Sequence, residues 1–175
     1  MAFPEYSRSR NDLAFAFLRI AIGCLFLILA QYKITSTQFT MHGGFQYWIH
    51  RFLQNGAYPF MVPLLKDFVL PHATPIAFLV AYGELAIGVS LFFGAVTRAA
   101  SFCGLIYMCS LIFSSNYPGA DAPFWQYFGA SLDHSILALC FVSFLIGDSE
   151  RMLSITRWLA VYNLKQDNEF LLKTK

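Results

Sequence analysis

Charge is what this chain has least of. Lys and Arg number 12 and Asp and Glu 10 among 175 residues, so charged side chains make up 13% of the sequence, about half the share usual in a soluble domain. Apolar residues reach 57% and aromatics 18%. A surface facing water needs more polar groups than this, and the composition points to a membrane protein. The net charge of +2 is small and the basic residues are scattered, which argues against a nucleic-acid partner.

Reactive and metal-binding patterns are scarce too. Cys24, Cys103, Cys109 and Cys140 all fall in apolar runs and form no C-x-x-C pair. Disulfide exchange needs thiols that a soluble partner can reach, so these cysteines read as small packing residues. Membrane haem is usually held by His on facing spans, yet only His134 lies inside an apolar run. His42, His50 and His72 sit in one connection without a metal-binding spacing, and no metal site is expected. Walker A, dinucleotide, serine-elbow and zincin patterns are lacking. The chain therefore carries no recognisable cofactor motif of its own.

What is present in quantity is apolar length. Four segments, 13–32, 76–96, 98–114 and 124–146, are long enough to cross a bilayer and are bounded by polar, Pro or Gly residues. The basic N-terminal start followed by an apolar run raises the question of a signal peptide. Arg19 interrupts that run and no small-x-small cleavage site follows, so a permanent helix is expected. "GAVTR" between the second and third segments is short enough only for a helical hairpin. The expected fold is all-α, a single transmembrane domain over 1–175 built as a membrane four-helix bundle. Lys and Arg favour the side shared by both termini and the "TR" turn, which places the termini in the cytoplasm.

The connection 34–75 is too long to be structureless. In "GGFQYWIHRFLQNG", Phe45, Trp48, Ile49 and Phe52 recur at helical spacing between glycines, predicting an amphipathic helix in the outer interface. The prolines at 59, 63, 71 and 75 then forbid a long regular helix and suggest a re-entrant or surface-hugging segment. In the last connection Tyr117, Phe124, Trp125 and Tyr127 suit the headgroup boundary. A further amphipathic helix is expected over "ERMLSITRWLAVYNLK", along the cytoplasmic leaflet.

Within the apolar runs the few ionisable residues stand out, because each costs roughly 2.5–3.5 kcal/mol to insert and needs a partner or water. Glu84 shares a helix stripe with Ala77, Ala81 and Gly88, so it should face protein. The first segment has a matching stripe of Ala16, Arg19, Gly23, Phe26 and Ala30. Aligning the midpoints of the two segments puts Arg19 within reach of Glu84. An Arg19–Glu84 ion pair is expected, with Lys33 the alternative partner. Asp133 and His134 of the fourth segment would join Arg19 and Glu84 in a polar pocket. That pocket reads either as a site for a quinone headgroup or a proton relay, with Glu84 and His134 the candidate catalytic groups, or as a structural network fixing helix register.

"LRIAIGCLFLILAQYKI", "GELAIGVSLFFGAVTRAA" and "SLDHSILAL…IGDSERMLSITR" together resemble the DoxX/DoxD family, most specifically in Gly83-Glu84, Gly88, Gly94 and Thr97-Arg98. The resemblance implies a four-span protein of a bacterial or archaeal inner membrane. By position its polar sites fall on Arg19, Lys33, Glu84, Arg98 and Asp133. It also implies one of two functions. The first is an accessory subunit of a larger respiratory or photosynthetic electron-transfer complex, bordering a quinone site among other membrane subunits. The second is the quinone-reducing membrane subunit of a thiosulfate:quinone oxidoreductase, with Glu84 or His134 passing protons and Arg19 stabilising charge. A small-solute carrier has no support from repeats or paired broken spans.

Overall fold

The computed structural model describes residues 10–147 together with Ser154 and Ile155. Among these the protein is helical throughout: α1 (Arg10–Thr35), α2 (Thr37–Thr40), α3 (Gly44–Gln54), α4 (Met61–Pro63) running into a π-helical turn (Leu64–Val69), α5 (Ala73–Phe93), α6 (Thr97–Ser114), α7 (Phe124–Gly129) and α8 (Leu132–Ile146). Three of them, α1, α5 and α6, are long and apolar enough to cross a membrane. Their outward faces bear bare apolar side chains such as Phe17, Ile28, Leu79 and Phe102. Lipid solvates such surfaces where water would not.

The expected fourth span, 124–146, is broken in two. Only the 15 residues of α8 form one helix, roughly 22 Å against a hydrocarbon thickness of about 30 Å. The break falls at Ala130-Ser131, where Ser131 leaves helical geometry (φ −134°, ψ 55°). Its carbonyl accepts from the Ser135 amide at 2.9 Å, and the Ser135 hydroxyl donates to the Phe128 and Ser131 carbonyls at 3.2 and 3.0 Å. The Ser135 side chain thus bridges the join by bonding a carbonyl of α7.

Helix α1 packs along α5, α6 packs along α8, and α5 and α6 form a hairpin. Gly94 ends α5 in the left-handed region (φ 68°) with its N–H bonded to the Ser90 carbonyl, the usual glycine cap. α6 begins at Thr97, so "GAVTR" is the tight turn expected. Ile22, Phe26, Ile87, Leu91, Met108, Phe141 and Phe144 close the core between these four helices. Phe26 and Phe141 meet edge to face at 5.5 Å.

The connection between α1 and α5 builds a second core from Phe39, Phe45, Ile49, Ala57, Met61, Leu65, Ala73 and Ala77. α3 forms where helical spacing placed it, with Phe45 and Ile49 buried. Trp48 departs from that face: it is 44% exposed, and the Arg51 guanidinium covers its ring at 5.5 Å. Prolines end the next segment as anticipated, and Pro75 fits within the first turn of α5, where its missing N–H has no partner to lose. The expected C-terminal helix lies outside the described residues except for Ser154 and Ile155. The Ser154 hydroxyl donates to the Gly94 carbonyl at 2.6 Å.

Candidate functional site

The site follows from how closely α1 and α5 approach. A Cβ at Gly23 would lie 2.7 Å from the Phe92 nitrogen, and one at Gly88 would lie 2.9 Å from the Leu27 nitrogen. Two glycines on facing helices therefore hold backbone against backbone, with Ala16, Ala30, Ala77 and Ala81 buried along the same stripes. This register places Glu84 opposite the turn of α1 that carries Ala30 and Lys33. Relative to the aligned midpoints of segments 13–32 and 76–96, the second segment is staggered by roughly 10 Å.

Glu84 is 3% exposed. Lys33 Nζ donates to its Oε1 at 2.5 Å, and the Tyr107 hydroxyl of α6 donates to the same oxygen at 2.6 Å. Lys33 also lies 5.1 Å above the Phe39 ring. Oε2 of Glu84 is buried and has no hydrogen-bond partner among the described residues. One carboxylate thus ties three helices together through one oxygen and keeps the other unused.

The expected Arg19–Glu84 pair is not formed. Arg19 is fully buried, but its guanidinium lies at the far end of α5, where a Cβ on Gly94 would come 2.5 Å from Nη1. Gly94 is about 15 Å of helix beyond Glu84, farther than an Arg side chain spans. A cation near the C-terminal end of a helix is favoured by the helix dipole. Lys33, the alternative partner, holds Glu84 instead.

The four-residue pocket is not assembled either. Asp133 and His134 occupy the first turn of α8, with His134 Nδ1 3.0 Å from Asp133 Oδ1, a contact not aligned as a hydrogen bond. The Asp133 side chain is 75% exposed, and neither residue lines the cleft that Glu84 borders. Arg98 is exposed on the first turn of α6. The histidines of the long connection are spread over different elements, and no group of three His, Cys, Asp or Glu side chains gathers among the described residues.

What does gather is a cleft of about 530 Å³ between α5 and α6. Leu79, Val80, Ile87, Ala100 and Ile106 give it apolar walls, and Glu84 and Tyr107 are its polar members at mid-length, with Ser90 and Ser110 toward the ends. Cys103, expected to be a packing residue, is exposed on the cleft wall. Tyr107 was not foreseen, although the hairpin announces it: residues 84 and 107 are equidistant from the centre of the turn between Ala95 and Val96.

The DoxX family model matches residues 14–116, a stretch that includes most of α1, all of α5 and α6, and Lys33, Glu84 and Tyr107. The chain belongs to the DoxX family. Comparison with curated proteins and with solved structures gave no match. The apolar helices and the family together make this an integral membrane protein, in contact with lipid. Every residue of the Glu84 cluster lies within the DoxX match, whereas Asp133 and His134 lie beyond it.

Proposed function

We propose that this DoxX-family chain is a membrane subunit that borders a quinone site for an electron-transfer partner. The observation that carries the reading is the α5–α6 cleft: an apolar slot among membrane-crossing helices, with a buried carboxylate and a phenol at mid-length. Its volume is that of a small-molecule site, and its position suits a ligand dissolved in lipid. α7 and α8 together make the fourth crossing, with both termini on the cytoplasmic side. The partner complex rests on the family resemblance; the cleft supports the ligand.

The test of the ligand is decylubiquinone titrated against the protein in lipid nanodiscs. Saturable binding is expected in the wild type, weakened at least about tenfold in Gly83→Leu. Gly83 lines the cleft with open space at its Cβ position, so the added side chain extends into the slot. Partition into lipid alone, equal in both proteins, removes the quinone site. The complex is tested by native electrophoresis of mildly solubilised membranes: co-migration with quinone-linked redox activity is expected, and a chain that always runs alone removes the subunit role.

A further inference from the structure

Resting on the quinone reading of the cleft, we propose that Glu84 accepts a hydrogen bond from a ligand hydroxyl, so that the reduced quinol binds in preference to the oxidised quinone. Both donors within reach, the Lys33 ammonium and the Tyr107 hydroxyl, converge on Oε1. Oε2 is buried without a partner among the described residues, and Glu84 forms part of the cleft wall. A buried acceptor left unsatisfied is unfavourable, more so when charged.

An incoming hydroxyl relieves that deficit with a charge-assisted bond. A quinone carbonyl cannot do so: it brings a second acceptor against a carboxylate oxygen, and the two repel. The Tyr107 hydrogen is already committed to Oε1, and the Lys33 ammonium, which keeps two further hydrogens, is not among the residues that line the cleft. The slot extends along α5 from Leu79 to Ser90, roughly 16 Å of helix, which leaves room for an apolar tail beside a ring at Glu84. The ligand this chemistry selects is an amphiphile with a hydroxyl-bearing head.

The experiment compares decylubiquinol, kept reduced under argon, with decylubiquinone on the protein in nanodiscs. Decylubiquinol is expected to bind about tenfold tighter, and to protect Cys103 on the cleft wall from a lipid-soluble maleimide, read by peptide mass spectrometry. In Glu84→Gln the preference should invert. Lys33 and Tyr107 would hold the amide oxygen, turning its NH₂ toward the vacant acceptor position and presenting a donor to the quinone carbonyl. Equal binding of the two redox forms by the wild type, or tighter binding of the quinone, overturns the inference while leaving the quinone site standing. Binding of neither form sinks both. n-Decanol competing as strongly as decylubiquinol overturns the quinol as occupant. The wild-type comparison decides the question even if the Gln variant does not fold.

Discussion

Helix α5 has two neighbours and treats them in opposite ways. Toward α1 it presents Ala77, Ala81 and Gly88, and the two backbones touch. Toward α6 it presents Leu79, Gly83 and Ile87, and a cleft remains. Both seams are apolar, and hydrophobicity alone does not distinguish them. What differs is that backbone meets backbone at Gly23 and Gly88 on one side, whereas on the other the small residues Gly83, Ala86, Ala99 and Ala100 line open space. In lipid, where apolar tails compete equally for apolar surface, helix association depends on such close packing and on polar links. Glu84 joins the two seams, held from the tight side by Lys33 and from the open side by Tyr107.

The largest effect should come from breaking that link on the tight side. Lys33→Met leaves Glu84, 3% exposed, as an uncompensated buried charge, which typically costs about 3–5 kcal/mol. Unfolding by SDS titration should show a loss of that size. In the double variant Lys33→Met with Glu84→Gln most of it should return, because the charge that needed neutralising is gone. A double variant as unstable as Lys33→Met alone would mean that Lys33 acts through packing. A smaller loss, about 1–3 kcal/mol, is expected for Gly88→Ala in the same titration, since the new Cβ meets the Leu27 nitrogen at 2.9 Å and a backbone cannot move aside as a flexible side chain does.

The tight seam was largely legible in the sequence. The stripe Ala16, Arg19, Gly23, Phe26, Ala30 is buried as its spacing implied, apart from one error of register. The same spacing continues one step further to Lys33, and that step places the cation beside Glu84. Aligning segment midpoints hid it, because residues 10–35 and 73–93 are not level with one another; Gly23 and Gly88 decide the offset. The fourth segment failed for a different reason. Hydropathy over 124–146 is continuous, while the break at Ser131 is bridged by the Ser135 hydroxyl, which bonds the Phe128 and Ser131 carbonyls. The cleft was invisible to composition and periodicity, since a space between two helices depends on both faces at once. Tyr107 alone was recoverable, by counting outward from the Gly94 turn.

The smallest effect sharpens the comparison most, because it repeats one substitution on the other side of the same helix. Gly83 is five residues from Gly88 in α5, yet its side-chain position faces open space. Gly83→Ala meets no neighbour and removes the conformational freedom that glycine must give up to stay helical, so stability should be unchanged or rise by about 0.5–1 kcal/mol. The methyl group occupies only a little of a 530 Å³ slot, and ligand binding should survive it, in contrast to Gly83→Leu. A loss in Gly83→Ala matching that of Gly88→Ala would show that α5 and α6 close on one another in the membrane and that the two seams are alike. A gain beside a loss, from the same methyl on one helix, would establish that the difference lies in what each glycine faces.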